Sequence, residues 1–403
     1  QPMFSNNPGD YDGYNERWGG LPAFRQAIEA YRQKGALVTL YTDPFRVDHS
    51  SKCGRQHGER WGVVQPDGSY RDDYDAWRMC HDVAEYRQWV ADNMQRVLKE
   101  TGADGIRLDE YGHAGSACFS RKHEHTFAEW GCTEWQRGVA EATRLVRQAM
   151  DQVNPQAVLT TEHPGYDFLL PHIEGCITYD LTVLASPLRP VEVNLQRFLF
   201  PECKAFELDH RGADPTHRKR FWNAVGSFGS CYPPSYDAIL RENADAFASR
   251  QCRPLVPTPA GGVYANWFRG QDKEIYTLYN GTGHTFYGLA LSVELPPDRH
   301  IFDLLRCEEA DAEPTGGRHS VRLFLPRDDV ACLAVLPRKL TVVAAGDRLQ
   351  IRTSGADADS RVAVCGRDGG EIASRPLTDG QAEIRLGPAQ GQGLCVKLYR
   401  GGQ

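Results

Sequence analysis

The chain has 403 residues, 41% hydrophobic and 25% charged, with a net charge of −7. That length gives material for two or three domains with real cores, and an acidic balance without a Lys/Arg run excludes nucleic acid or an anionic membrane surface as the main partner. No apolar stretch approaches the roughly 20 residues that span a bilayer, and the 12 cysteines stand singly with no C-x-x-C pair, against zinc-ribbon and thioredoxin-type readings.

Residues 1–20 read as loop. The chain opens on Gln1 rather than Met, and its start has no signal-peptide pattern, so residue 1 is read as lying inside a longer polypeptide. "LPAFRQAIEAYRQKG" places Phe24, Ile28 and Tyr31 at helical spacing and closes on Gly35, a natural C-cap. The short apolar run "ALVTLYTD" follows, ending at Asp43. "VAEYRQWVADNMQRVLKETG" puts Tyr86, Val90, Met94 and Val97 on one helical face and leads into the strand "DGIRLD". A third helix, carrying Trp135, Val139, Ala142, Val146 and Met150, leads into "AVLTTE". The strands "CITYDL", "CKAFELD" and "GSFGSCY" complete a run of six. Near-continuous apolar strands, each preceded by helix, predict a parallel sheet covered on both faces.

From about residue 255 the pattern turns to strands separated by turns: "VYANWF", "EIYTLYN", "YGLALSVEL", "SVRLFLP" and "VACLAVLP", then "LTVVAAGDRLQIRTSG" and "GLCVKLYR". The expected organisation is a (β/α) barrel portion over 1–254, a β-sandwich over 255–338 and a small β module over 339–403. Six strands are two short of a closed (β/α)8 TIM-type barrel. The first strands are therefore expected to lie in a segment preceding this chain, with which it would associate.

Catalytic side chains of parallel α/β folds gather at the carboxyl ends of the strands. Asp43, Asp109, Glu162, Asp180 and Asp209 all stand there. Two carboxyl groups on adjacent strand ends suit glycoside cleavage, one attacking the anomeric centre and one donating a proton to the leaving oxygen. Arg107 shares a strand face with Asp109, because side chains alternate, and would hold it ionised. Glu162, followed by His163, is the natural proton donor, while Glu110 points off that face and is expected to partner a helix. Trp61, Tyr70, Tyr74, Trp77 and Tyr111 are candidates for stacking on sugar rings.

"DGIRLDEYG" resembles the fourth-strand Gly-x-Arg-x-Asp signature of α-amylase-type glycoside hydrolases, "TTEHPG" their fifth-strand acid/base Glu, and "ALVTLYTDP" the preceding third strand. A β-sandwich after the barrel is common to these and to α-galactosidase-like enzymes. "DAWRMCHDVAEYRQWV" with "GADGIRLDE" resembles more closely a group of uncharacterised bacterial barrel proteins. The resemblance, over about residues 20–340, implies Asp109 as nucleophile and Glu162 as acid/base in a retaining mechanism. It further implies Asp209 as a third carboxylate, with Asp43, Arg107, Tyr111, His163, Asp180, Glu207, His210, Trp61 and Trp77 around an oligo- or polysaccharide. The family's His-Asp order is reversed in "FELDHRG", so Asp209 or Glu207 would take that role beside His210.

No cofactor or metal is expected. The main competitor is a metal-dependent hydrolase or deacetylase using His113, Cys118, His123, His125 and Cys132; their spacing matches no zinc pattern, and His123 and His125 would diverge on a helix. A Cys118–Cys132 bridge is an alternative use of that loop, and a non-catalytic carbohydrate-binding barrel is a third reading. Absence of a G-x-G-x-x-G, a P-loop or a G-x-S-x-G elbow sets nucleotide enzymes and serine hydrolases aside. Disulfides and free thiols both remain open, with a secreted or periplasmic location favoured over the cytoplasm.

Overall fold

The computed structural model describes residues 9–112, 117–123, 125, 134–165, 167–181, 193–208, 214–337, 340–353, 359–366, 370–387 and 394–399. The chain divides into two compact units, residues 1–178 with 203–206, and residues 179–202 with 207–403.

In the first unit, α1 (Gly20–Arg32) precedes β1 (Thr39–Thr42). A hairpin of β2 (Arg46–Asp48) and β3 (Ala76–Arg78), enclosing α2 (Lys52–Trp61), stands before α3 (Ala84–Thr101). Then come β4 (Gly105–Leu108), α4 (Glu134–Asp151), β5 (Val158–Thr161) and β6 (Gly175–Thr178). Strand β7 (Lys204–Leu208) begins in the first unit and ends in the second, where β8 (Gly226–Phe228) follows. The sheet order is β1-β4-β5-β6-β7-β8, with β1, β4, β5 and β6 pairing in parallel. These are the six strands expected from the sequence. They form part of an α/β barrel, and a closed eight-stranded ring is not formed by the described residues.

Burial departs from the expectation of a sheet covered on both faces. Leu40, Ile106, Leu108 and Leu159 are at most 1% exposed. Tyr41, Arg107 and Thr160, on the opposite face, are only half-buried. Helix α3 packs on β4 and on α4, and the stripes of the two helices (Tyr86, Val90, Met94, Val97; Val139, Ala142, Val146, Met150) are all 0–1% exposed. Each such aliphatic side chain contributes about 1.5–3 kcal/mol. The half-buried row includes the polar side chains Arg107 and Thr160. In α1 the expected stripe is only partly used: Ile28 is buried but Tyr31 is 60% exposed.

In the second unit, β10 (Val263–Arg269), β11 (Glu274–Asn280) and β17 (Val330–Pro337) are antiparallel, flanked by β9 (Cys252–Val256) and β13 (Arg299–Asp303). One sheet face packs on Phe221, Trp222, Ile239 and Phe247, and the other buries Leu278, Leu323 and Leu333 with β12 (Phe286–Val293) and β16 (Arg318–Leu325). Residues 340–398 surround a separate small core of Leu349, Ile351, Val362, Val364 and Ile384. Asn280 of the lone glycosylation sequon is fully buried, its amide donating to the carbonyls of His284, Leu325 and Pro326.

Candidate active site

Register aligns the acids. Thr42 pairs with Leu108 and Leu108 with Thr161, so the next residue of each strand stands at the same level. The ladder continues one step: the Asp109 N–H donates to the Thr42 carbonyl at 2.7 Å, and the Glu162 N–H to that of Leu108 at 3.0 Å. Asp43, Asp109 and Glu162 thus end three neighbouring strands side by side, on the face that also carries Tyr41 and Arg107.

Asp109 is held at both oxygens. Arg107 Nη1 lies 2.7 Å from Oδ1, and the Tyr41 hydroxyl donates to Oδ2 at 2.5 Å. A cation on one oxygen and a hydrogen-bond donor on the other fix the rotamer of the carboxylate. Arg107 also lies 5.4 Å from the centre of the Tyr41 ring. The side chain of Asp109 remains 15% exposed, so its site opens to solvent. Burial and the hydrogen bond to Asp109 push the Tyr41 hydroxyl well above its usual range, keeping it a donor.

Glu162 is held by backbone of the neighbouring strand end: the Glu110 N–H donates to Oε2 at 2.7 Å. Glu110 adopts φ 54°, a left-handed conformation rare for a residue with a Cβ. Its side chain lies 3.8 Å from that of Arg46. The loops carrying the two acids meet through glycines: a Cβ on Gly112 (φ 98°) would stand 2.6 Å from the His163 carbonyl, and one on Gly165 3.1 Å from that of Gly112. This is why "DEYG" and "EHPG" both end in glycine.

Asp43 is 1% exposed and pinned, its carboxylate bound to Arg46 Nε at 2.7 Å and accepting from the Phe45 N–H. Burial outweighs the Arg46 charge and raises it to about 6, with Asp109 and Glu110 adding in the same direction. Such an acid orients Arg46. Tyr74 covers Arg46, whose guanidinium carbon lies 4.4 Å from the ring centre, and is 80% exposed.

The aromatic expectations divide. Tyr111 is fully buried, its hydroxyl donating to the Val139 carbonyl, and Trp61 is 4% exposed and stacked on His57, so both are core and not open platforms. Trp77 is half-buried in the hairpin between Tyr70 and His49. His163 is half-buried beside Glu162. In the second unit, burial raises the Asp180 carboxyl, while Glu207 is fully buried and accepts the Leu181 N–H at 2.9 Å, anchoring backbone. Asp209 and His210 lie outside the described residues, as do His113 and Cys132. Sequence reasoning missed Tyr41 and Arg46; the strand-face alternation that selected Arg107 also selects Tyr41.

Among the described residues every cysteine is a free thiol. Cys80, Cys118, His123 and His125 bring four donor atoms within 4.8 Å of one another. His123 and His125 sit in a turn, not on a helix, so they converge where the sequence predicted divergence.

The model for a family described as "Domain of unknown function (DUF6259)" matches residues 8–182. Comparison with curated proteins finds no match. Among solved structures, an α-amylase from H. orenii is similar over 83% of this chain and 88% of its own, at 12% identity and a TM-score of 0.58. The fold resembles that of this α-amylase. An Anoxybacillus α-amylase is similar over 84% of this chain and 86% of its own, at 13% identity and TM-score 0.56. A debranching enzyme from Nostoc punctiforme covers 82% and 84%, at 15% identity and TM-score 0.56. At these identities the likeness is one of fold.

Proposed function

We propose that the chain is a glycoside hydrolase with a two-carboxylate, retaining mechanism, acting on an oligo- or polysaccharide. The observation that carries this reading is the Glu110 N–H to Glu162 Oε2 bond, which holds a second carboxyl group at the tip of the strand that bears Asp109. Asp109, held in place by Arg107 and Tyr41, attacks the anomeric carbon and forms a glycosyl-enzyme ester. Glu162 gives its proton to the leaving oxygen, then takes one from the water that cleaves the ester. Tyr74 over Arg46 and Trp77 on the neighbouring hairpin strand are the proposed sugar contacts, with His163 beside the acid. The barrel part over 1–254, the sandwich over 255–338 and the module over 339–403 stand as the proposed division of the chain.

The test is turnover of a panel of aryl α- and β-glycosides and polysaccharides by the protein and by Asp109→Asn. The reading predicts a substrate on which the variant falls by at least about 10³-fold with its melting temperature unchanged. Equal turnover by both proteins would refute the assignment.

A further inference from the structure

We propose that Cys80, Cys118, His123 and His125 form a closed, four-ligand zinc site that pins the segment after strand β4. The donor set is two thiols and two imidazoles, the composition of the Cys2His2 structural zinc class. One donor atom from each residue lies within 4.8 Å of all the others, and Cys118 Sγ is 3.4 Å from His123 Nδ1. Tetrahedral zinc, with bonds of about 2.3 Å to sulfur and 2.0–2.1 Å to nitrogen, places neighbouring donors roughly 3.3–3.8 Å apart. The cluster is therefore already near the size of a coordination shell.

The surroundings are those of ligands rather than of loosely packed thiols. His123 Nε2 lies 2.9 Å from the Arg60 carbonyl, which accepts only from an N–H, so that nitrogen carries the proton and Nδ1 presents its lone pair to the cluster. The Val64 N–H donates to Cys118 Sγ at 3.4 Å, stabilising negative charge on sulfur. Backbone fixes both cysteines: the Cys80 N–H donates to the Trp61 carbonyl at 2.8 Å, and the Phe119 N–H next to Cys118 donates to Val64 at 2.8 Å. The two imidazoles stand edge to face at 84°, with ring centres 5.3 Å apart, as two rings directed at a common point do. Soft sulfur with imidazole selects zinc over calcium or magnesium, which prefer oxygen.

Four protein ligands leave no open coordination position, so this metal would be structural rather than catalytic. It would join the hairpin strand β3, after which Cys80 lies, to the segment that follows Asp109 and Glu110. That bears on the competing hydrolase reading, because a catalytic zinc needs a site for water.

The test is the metal content of the full chain, expressed with zinc and purified without chelator, read by mass spectrometry of the metal together with a free-thiol count. About one zinc per chain, released by a thiol-specific mercurial, is the expected result. Exchange with Co(II) is expected to give the visible bands of tetrahedral cobalt and a near-ultraviolet thiolate charge-transfer band. Cys118→Ser and His123→Gln should lose both the zinc and the charge-transfer band. The wild-type cobalt spectrum decides the matter even where a variant fails to fold. Zinc below roughly a tenth of an equivalent with both thiols free, or a Cys80–Cys118 disulfide found by peptide mass spectrometry, would overturn the site. Neither readout depends on glycosidase activity.

Discussion

The backbone N–H of Glu110 donates to the carboxylate of Glu162, so the acid ending one strand is held by the strand beside it. A backbone donor cannot rotate away, and it needs the left-handed turn at Glu110 to point there. Substituting the Glu110 side chain should therefore leave Glu162 in place. Glu110→Gly, which relieves the turn, is expected to keep kcat within a few-fold of wild type. A loss of more than about 100-fold would show that the side chain, not the backbone, carries the role.

Tyr41 donates to Asp109 Oδ2, and Tyr41→Phe removes only that donor. Loss of a hydrogen bond to a charged group amounts to about 1.5–3 kcal/mol, so kcat/KM should fall roughly 10- to 100-fold. Steady-state kinetics on the best substrate of the panel checks this. Unchanged kinetics would mean that Arg107 alone is enough to position Asp109.

Gly112 has φ 98° and its would-be Cβ meets the His163 carbonyl, whereas Gly261 has open space around it. Gly112→Ala is expected to lower unfolding stability by about 2–4 kcal/mol in urea, and Gly261→Ala by less than about 1 kcal/mol. Equal effects would contradict the close approach of the two loops.

Asp43 supplies a pH signature. Its carboxyl is raised from the ordinary 3.8 to about 6, so between those values the folded chain keeps a proton that the unfolded chain has released. The stability this brings is complete below about 3.8 and is lost as pH rises through about 6. Relative to Asp43→Asn, the protein should lose on the order of 2–3 kcal/mol between pH 4 and pH 7. Denaturant melts of both proteins at those two pH values check it, and parallel profiles would sink the assignment.

Tyr74 and Tyr111, both raised by the sequence as sugar platforms, should separate by phenotype. Tyr74→Ala at the exposed position over Arg46 is expected to raise KM several-fold, about 1 kcal/mol, with stability unchanged. Tyr111→Ala in the core is expected to cost about 3–5 kcal/mol of stability. Calorimetry with kinetics on both variants distinguishes them.

Much of this architecture was legible because periodicity and strand ends are local signals. The stripe Tyr86, Val90, Met94, Val97 predicts α3, and Arg107 with Asp109 follows from alternation along one strand. The hairpin enclosing α2 escaped notice because its strands are three residues each, too short to show a period. Trp61 and Tyr111 look like loop aromatics in the sequence, since nothing local reveals that α3 and α4 cover them. Cys80 was invisible as a partner of Cys118, because the link between them is the packing of residues 117–125 and not a spacing.

The measurement that tests the central claim most directly is the dependence on leaving group of Asp109→Asn and Glu162→Gln. A dinitrophenyl glycoside needs no proton to depart, whereas an alkyl glycoside does. The account predicts that Glu162→Gln keeps kcat/KM for the activated substrate within about tenfold of wild type while losing the alkyl one, with a burst and a lowered kcat because the ester then lacks its base, and that Asp109→Asn loses both. If Asp109→Asn cleaves the dinitrophenyl substrate as fast as wild type, or Glu162→Gln loses both substrates equally, the roles assigned to the two carboxylates are wrong.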